Sequence, residues 1–435
     1  MFKNRHGQFN YTKTKGGVII IIARLENTGF GTFSLFEDEI DKVIEFNTET
    51  GVSKIHTLQF PKRVPFDKTQ EINLARELIK RNPNDSEIRI IRGLPISRAY
   101  SAPFKIYLDI NQTCSLQCPF CLSGARLDAK ANLPLSTIKK IATEISEMGI
   151  MYVKIGGGDP FLHPDFAEII NLLRAAGCFI TISTNSMTLT PYIAELLARN
   201  RIRTSVSVEG LETTDDNLRG HGHFQKALDA LDILKTAGVD VLLRTTLLRQ
   251  NLKDIPELVE LAKSKEVKIK FSYCRPAGRA TYNQTVLGPQ DSFNYIKVLK
   301  YLNDPRVLPY VLMDEGMMFS QPIELKNKIL HGNICGAANR SMHIDPLGKI
   351  NPCVFLGPTF SFGKIYQDGP IKDFWQGKIG NKFQIVRDIR QPHECDGCNR
   401  LCKNECPANR FYFWGNYQQQ DPNCLYEALR KSEHK

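Results

Sequence analysis

Between Lys105 and Tyr273, short apolar runs alternate with amphipathic helical patterns, and this alternation leaves few folds open. The candidate strands are Lys105–Ile110, Met151–Ile155, Phe179–Ser183, Arg203–Val208, Asp240–Leu247 and Val267–Tyr273. Between them lie the helical patterns Ser136–Met148, Asp165–Ala176, Pro191–Asn200, Phe224–Ala237 and Ile255–Lys265. In the first helix Ile138, Ile141, Ala142 and Ile145 recur at i, i+3, i+4 and i+7, a single buried stripe. Phe166, Ile169, Ile170 and Leu173 repeat the pattern in the second. Such alternation predicts an α/β fold around a parallel sheet. Loops at the carboxyl ends of such strands ordinarily hold the active site.

The loop after the first of these strands carries Cys114, Cys118 and Cys121, spaced C-x3-C-x2-C. Three thiolates on one tight loop can ligate three irons of a cubane and leave the fourth iron open to a substrate or cofactor. Electron-transfer clusters ordinarily use four protein ligands, and structural zinc prefers four, commonly as pairs of C-x2-C. The competing readings are a zinc site or three buried thiols.

Twelve cysteines in 435 residues, with no export signal, do not read as a disulfide set. Seven of them fall between Cys335 and Cys424, and clustered thiols of this kind mean metal. No apolar run approaches the ~20 residues that span a bilayer. Val18–Ala23 is too short for a signal core and reads as a buried strand. The chain is therefore expected in the cytoplasm, with no membrane partner. The net charge of +11 suits an acidic partner. The basic residues are scattered along the chain, so no nucleic-acid partner is expected.

The segment Lys105 to Cys121 resembles the radical S-adenosylmethionine (SAM) enzymes. The resemblance implies a partial barrel of six strand–helix units over residues 101–280. It also implies that the open iron binds the amino and carboxylate groups of SAM, which is cleaved reductively to a 5′-deoxyadenosyl radical. Gly156-Gly157-Gly158-Asp159-Pro160 follows the second strand and resembles the family's Gly-Gly-Glu-Pro motif, with Asp159 one methylene shorter than the usual glutamate. By that likeness Gly157, Gly158, Asp159 and Pro160 hold the methionine amino group. Ser183 and Asn185 form a polar tip after the third strand, with turn capping as the alternative role. Ser207-Val208-Glu209-Gly210 with Arg219-Gly220 resembles Ser-x-Asp-Gly…Arg-Gly, Glu209 replacing aspartate. Ser207 is then expected at the ribose or the methionine carboxylate, and Arg219 beside a carboxylate, unless it forms a surface ion pair. Phe120 is expected beside the adenine. Arg275-Pro-Ala-Gly-Arg279 resembles a common end of this fold, and Cys178 and Cys274 read as packing thiols.

The C-terminal cysteines resemble the SPASM extension of radical SAM enzymes, assigned to residues 331–435 after a bridging region 281–330. His343 to Cys353 reads as a hairpin turning at Pro346–Gly348. The likeness implies two auxiliary four-iron clusters, hence three 4Fe-4S clusters in all. Cys335, Cys353 and Cys406 are assigned to the nearer one, and Cys395, Cys398, Cys402 and Cys424 to the outer one. The gap between Cys398 and Cys402 is three residues where the family has five. One or two zinc sites are the alternative.

Residues 1–100 read as a small α+β domain: strands near Val18–Ala23, Lys42–Phe46 and Glu87–Arg92, a helix Gln70–Arg81 and a turn Asn82–Asp85. Several radical SAM peptide maturases place a leader-binding domain here, one that pairs the peptide with an edge strand; a structural cap is the alternative. The expected activity is modification of a ribosomally made peptide, with an acidic leader and with flavodoxin or ferredoxin as electron donor. The competing readings are a small-molecule dehydrogenase, a tetrapyrrole-modifying enzyme, a maturase oxidising cysteine or serine, and a non-catalytic electron carrier. Val354 stands where the cysteine- or serine-oxidising relatives place an aspartate base.

Overall fold

A computed structural model describes residues 102–282, 285–287, 291–313, 335–389 and 406–419, together with Ala99 and five strands nearer the N-terminus. The chain divides into two compact units, Met1–Leu94 and Pro95–Lys435.

In the first unit β1 (Ile21–Leu25), β2 (Phe30–Phe36), β3 (Asp41–Asn47) and β4 (Ser53–Thr57) form an antiparallel meander. A fifth strand, β5 (Ile88–Arg92), lies parallel to β1 with Ile21 opposite Ile88. The sheet order is β4-β3-β2-β1-β5, so β4 and β5 are its outermost strands. The expected strands Lys42–Phe46 and Glu87–Arg92 coincide with β3 and β5. The expected helix Gln70–Arg81 and turn Asn82–Asp85 lie outside the described residues.

The second unit is built on a nine-stranded open sheet, order β12-β11-β10-β9-β8-β7-β6-β13-β14. Six parallel strands form the partial barrel: β6 (Lys105–Asn111), β7 (Tyr152–Gly157), β8 (Phe179–Thr184), β9 (Arg203–Ser207), β10 (Val241–Leu247) and β11 (Ile269–Tyr273). Each matches a run expected from the sequence. The helices Leu135–Met148, Phe166–Ala175, Pro191–Arg199, His223–Thr236 and Ile255–Ser264 cover one face. Ile106, Leu108, Val153, Ile155, Ile180 and Ile182 on that face are wholly buried with Ile138, Ile141, Ile169 and Leu173 from the helices. Burial of this size of apolar surface is what holds the half-barrel together, at roughly 1.5–3 kcal/mol per large side chain.

A further helix, Glu212–Arg219, has no apolar stripe and buries only Asp215 and Leu218, so hydrophobic periodicity does not reveal it. Three short strands extend the sheet: β12 (Val311–Met313) beside β11, and the hairpin β13 (Ser341–Ile344) with β14 (Ile350–Asn351). The hairpin follows the sequence expectation. Its strand β13 runs parallel to β6, with Met342 opposite Ile106, so the C-terminal cysteine region begins inside the barrel sheet. Among the described residues no helix is long and apolar enough to cross a membrane.

Candidate active site

The loop leaving β6 folds back on itself. Cys114 N–H donates to Arg126 O at 3.2 Å, Arg126 N–H to Gln112 O at 3.2 Å, and the Thr113 hydroxyl to Ala129 O at 2.8 Å. Cys114 and Cys118 are buried and Cys121 is half-buried. Burial pushes the Cys118 thiol up to about 11, opposed by Arg219 and reinforced by Cys121 and Cys114. Burial likewise raises Cys114, with Asp159 and Cys121 adding to it.

Each sulfur has a polar neighbour of its own. The Asn185 amide donates to Cys114 Sγ at 3.2 Å, Arg219 Nη1 approaches Cys118 Sγ at 3.9 Å, and Ser123 Oγ lies 3.4 Å from Cys121 Sγ. The Asn185 amide and the Arg219 guanidinium stabilise charge on their sulfurs and orient them. Among the described residues, no three His, Cys, Asp or Glu side chains converge on a single ion position. A cubane places each thiolate on a separate iron, so its ligands stand farther apart than those of one ion. Three mutually repelling thiols, each with its own neighbour, fit the cluster.

The glycine turn after β7 is locked to this loop. Gly158 N–H donates to Asn111 O at 2.9 Å and Asp159 N–H to Thr113 O at 2.8 Å, while Ser123 Oγ donates to Gly157 O at 2.8 Å. A Cβ on Gly157 would stand 2.1 Å from Asn111 O and one on Gly158 2.0 Å from Thr113 O, so only glycine allows the approach. The Asp159 carboxylate turns inward, accepting from the Thr188 hydroxyl at 2.5 Å and from Phe161 N–H at 3.4 Å. It caps the short turn that starts at the buried Pro160. Asp159 therefore orders the turn with its side chain, while its N–H is given to Thr113 O and its carbonyl accepts from Asn111 Nδ2 at 2.7 Å.

Asn185, Arg219 and Glu209 meet in one buried network. Arg219 pairs with Glu209 rather than lying at the surface. Glu209 also accepts from Thr246 N–H at 2.5 Å, and its own N–H donates to Asp215 Oδ1 at 2.6 Å. Asp215 Oδ2 meets His223 Nδ1 at 2.5 Å, and His223 Nε2 faces Asn185 O at 3.0 Å. The extra methylene of Glu209 over aspartate is used to span Arg219 and the end of β10. Burial pulls the Arg219 guanidinium down, but Glu209 and Cys118 outweigh it and raise it overall. Arg219 Nε is buried with no partner among the described residues, a donor suited to a carboxylate of the cofactor. Phe120 lies 5.4 Å from the Arg219 guanidinium carbon, against Leu218 and Cys274. Ser183 accepts from Arg244 Nη1 at 3.0 Å, and Ser207 ends β9 beside Arg244.

Sequence reasoning missed the residues that hold these groups. Arg279 donates through Nε to Cys118 O and through Nη1 to Ala125 O, both at 2.8 Å, and its N–H reaches Cys121 O at 2.9 Å. The preceding Gly278, at φ +64°, leaves no room for a Cβ against Leu122 O. Arg275 Nε donates to Cys406 Sγ at 3.2 Å, and its guanidinium stacks 4.2 Å from the Phe355 ring. The Arg-Pro-Ala-Gly-Arg signal marked this segment without giving its roles. Asp215 and His223 carried no signal at all.

Of the second cysteine field, Cys353 and Cys406 are close enough for Cys406 to raise the Cys353 thiol, which burial first drives up to about 11. Cys335 opens the turn whose Ala338 N–H donates to Pro352 O at 3.0 Å. Cys395, Cys398, Cys402 and Cys424 lie outside the described residues.

Residues 109–262 match the radical SAM superfamily, and residues 335–399 match an iron–sulfur cluster-binding domain, SPASM. The chain is a radical SAM enzyme with a C-terminal SPASM domain. It is similar to the mycofactocin maturase MftC of Mycobacterium tuberculosis, 27% identical over 347 residues that cover 78% of this chain and 88% of the relative. It is also similar to the AdoMet-dependent heme synthase of Methanosarcina barkeri, 26% identical over 76% of this chain and 99% of that one. Among solved structures, Streptococcus suis SuiB bound to its precursor peptide SuiA superposes with a TM-score of 0.63 at 17% identity, covering 93% of this chain and 96% of that chain. This confirms the fold.

Proposed function

We propose that this radical SAM enzyme is a peptide maturase that functionalises a C–H bond of a ribosomally made peptide, by cross-linking or a related oxidation. The observation that carries the reading is the loop of Cys114, Cys118 and Cys121, locked between the glycine turn and Arg279, in a chain similar to a peptide maturase along most of its length. When bound, the cluster and SAM supply one electron and a carbon-centred radical that removes a substrate hydrogen atom. The chain's own residues do the positioning. Asn185 and Arg219 orient the thiolates of Cys114 and Cys118, and Arg219 Nε offers a donor to a carboxylate. Gly157 and Gly158 bring backbone up to the cofactor region, where Ser207 and Phe120 are read as ribose and adenine contacts.

Two auxiliary four-iron clusters are assigned to the SPASM cysteines, with Cys335, Cys353 and Cys406 on the nearer one. They would accept the second electron of a net oxidation. Residues 1–100 are assigned to leader binding, the outermost strands β4 and β5 providing edges for an added strand. An acidic leader suits the net charge of +11, and a flavodoxin or ferredoxin is assigned as donor.

Anaerobic reconstitution tests this. About twelve irons per chain and 5′-deoxyadenosine on reduction are expected. Replacing Cys114, Cys118 and Cys121 together by alanine should abolish the nucleoside and leave about eight irons. Equal turnover of a peptide with and without its leader would remove the role given to residues 1–100. The likeness to the heme synthase supports a second reading, a tetrapyrrole substrate; turnover of an iron-free or iron-bound porphyrin precursor, and of no peptide, would establish it.

A further inference from the structure

The amino group at the methionine end of SAM offers N–H donors, and a charged acceptor holds such donors best. The likeness of the glycine turn gives this part to Asp159 together with the backbone around it. Every polar atom of Asp159 is already engaged. Its carboxylate accepts from Thr188 and Phe161, its N–H goes to Thr113 O, and its carbonyl accepts from Asn111 Nδ2 at 2.7 Å. Two further acids near the cysteine loop are equally committed, Glu209 to Arg219 and Asp215 to His223. All three are buried.

Asp109 differs from them. Ile106, Leu108 and Ile110 of β6 are wholly buried in the core beneath the helices, so Asp109, which alternates with them, faces the lumen of the half-barrel. Its side chain keeps 15% exposure. It stands opposite Gly156 in the sheet register, and Gly157 follows. A Cβ on Gly156 would lie 2.7 Å from Asp109 Oδ1, so the carboxylate fills the space that the absent side chain leaves. Oδ2 is 3.1 Å from His343 Nε2, and His343 Nδ1 is 3.1 Å from the Asn351 amide nitrogen. An Nδ1 that accepts from this amide leaves the ring hydrogen on Nε2, where it is donated to Asp109. Oδ1 accepts no hydrogen bond among the described residues and is not sealed from solvent. One oxygen is anchored and the other is open, beside the backbone that the likeness assigns to the amino group. The anchor belongs to the hairpin of β13 and β14, which leads to Cys353.

We propose that Asp109, rather than Asp159, is the carboxylate that receives the amino group of SAM, with His343 and Asn351 as positioning residues that fix its orientation. The proposal rests on SAM being the cofactor of the enzyme described above and is independent of the peptide reading. It makes the grip on the cofactor depend on a histidine of the C-terminal hairpin.

The test uses the full-length reconstituted enzyme under anaerobic conditions without reductant, and reads binding by equilibrium dialysis. Three probes are compared: SAM, decarboxylated SAM, which keeps the amino group, and 5′-methylthioadenosine, which has no amino-acid end. Asp109→Asn should weaken SAM and decarboxylated SAM by about ten-fold or more and leave 5′-methylthioadenosine unchanged. His343→Phe should weaken the same two probes. His343→Gln, which keeps a donor toward Asp109, should lose less. In Asp109→Asn, an equal loss for all three probes, or no loss for any, overturns the proposal. A loss confined to SAM, with decarboxylated SAM unaffected, assigns Asp109 to the carboxylate end and also overturns it. So does a probe-selective loss in Asp159→Asn that exceeds the loss in Asp109→Asn. Should Asp109→Asn fail to fold, the two His343 variants decide: a selective loss in the phenylalanine variant that the glutamine variant restores upholds the proposal, and any other pattern overturns it. A wild-type enzyme that binds no SAM would remove the cofactor reading itself, whereas wild-type affinity in Asp109→Asn removes the assignment of Asp109 alone.

Discussion

The side-chain amide of Asn185 donates to the sulfur of Cys114 at 3.2 Å, across 71 residues of sequence. The same residue accepts Met187 N–H at 3.0 Å and, through its backbone carbonyl, faces His223. Its orientation is thus fixed from two sides. A donor to a cluster thiolate stabilises the reduced state and raises the potential. Asn185→Leu should leave the three cysteines loaded, shift the cluster's midpoint potential to more negative values, and slow SAM cleavage by about 10- to 100-fold. A redox titration followed by electron paramagnetic resonance, with a cleavage assay, measures both.

Gly158→Ala places a methyl 2.0 Å from the carbonyl oxygen of Thr113, and backbone on both sides cannot rotate away. The expected cost is about 3 kcal/mol, with the strain falling on the cysteine loop. Denaturant unfolding should show the loss, and cleavage of SAM should be absent even where the variant remains folded.

Arg275→Gln removes the donor to Cys406 Sγ and the stack on Phe355. Iron content should fall by about four per chain while cleavage of SAM without substrate persists. A mutant that keeps its iron would show that Arg275 packs the domain without orienting a ligand.

Cys178 and Cys274 are raised to about 12 by burial, Cys274 further by Glu209. The thiolate is the nucleophile, so its population at pH 8 is smaller for these two than for a thiol with an ordinary value. It increases only as pH climbs toward 12. Iodoacetamide at pH 8 should therefore spare both in the native protein and label both after denaturation, as read by peptide mass spectrometry.

The barrel was legible because its signal is local. Ile138, Ile141, Ala142 and Ile145 lie on one helical turn and its neighbours, and the expected stripe is the buried one. The cysteine loop and glycine turn were legible because close backbone approach demands glycine and ligation demands thiols. The pairing of β13 with β6 was not, since it joins Ile106 to Met342 and no local pattern encodes such distance. Nor was the use of Asp159, whose carboxylate turns to Thr188. Glu209, Asp215 and His223 form a network of polar contacts that leaves no apolar periodicity, so a polar helix such as Glu212–Arg219 looks like a surface loop until it is folded.

The three bonds from Arg279 to the loop at Cys118, Cys121 and Ala125 have a consequence for biogenesis. The receptacle for iron begins at residue 114 but is finished only when residue 279 has left the ribosome and docked. Metal offered to a nascent chain would meet loose thiols, whereas metal offered after the sixth strand has closed meets a shaped cradle. The cradle of three cysteines is thereby complete only once the turn at Arg279 has docked.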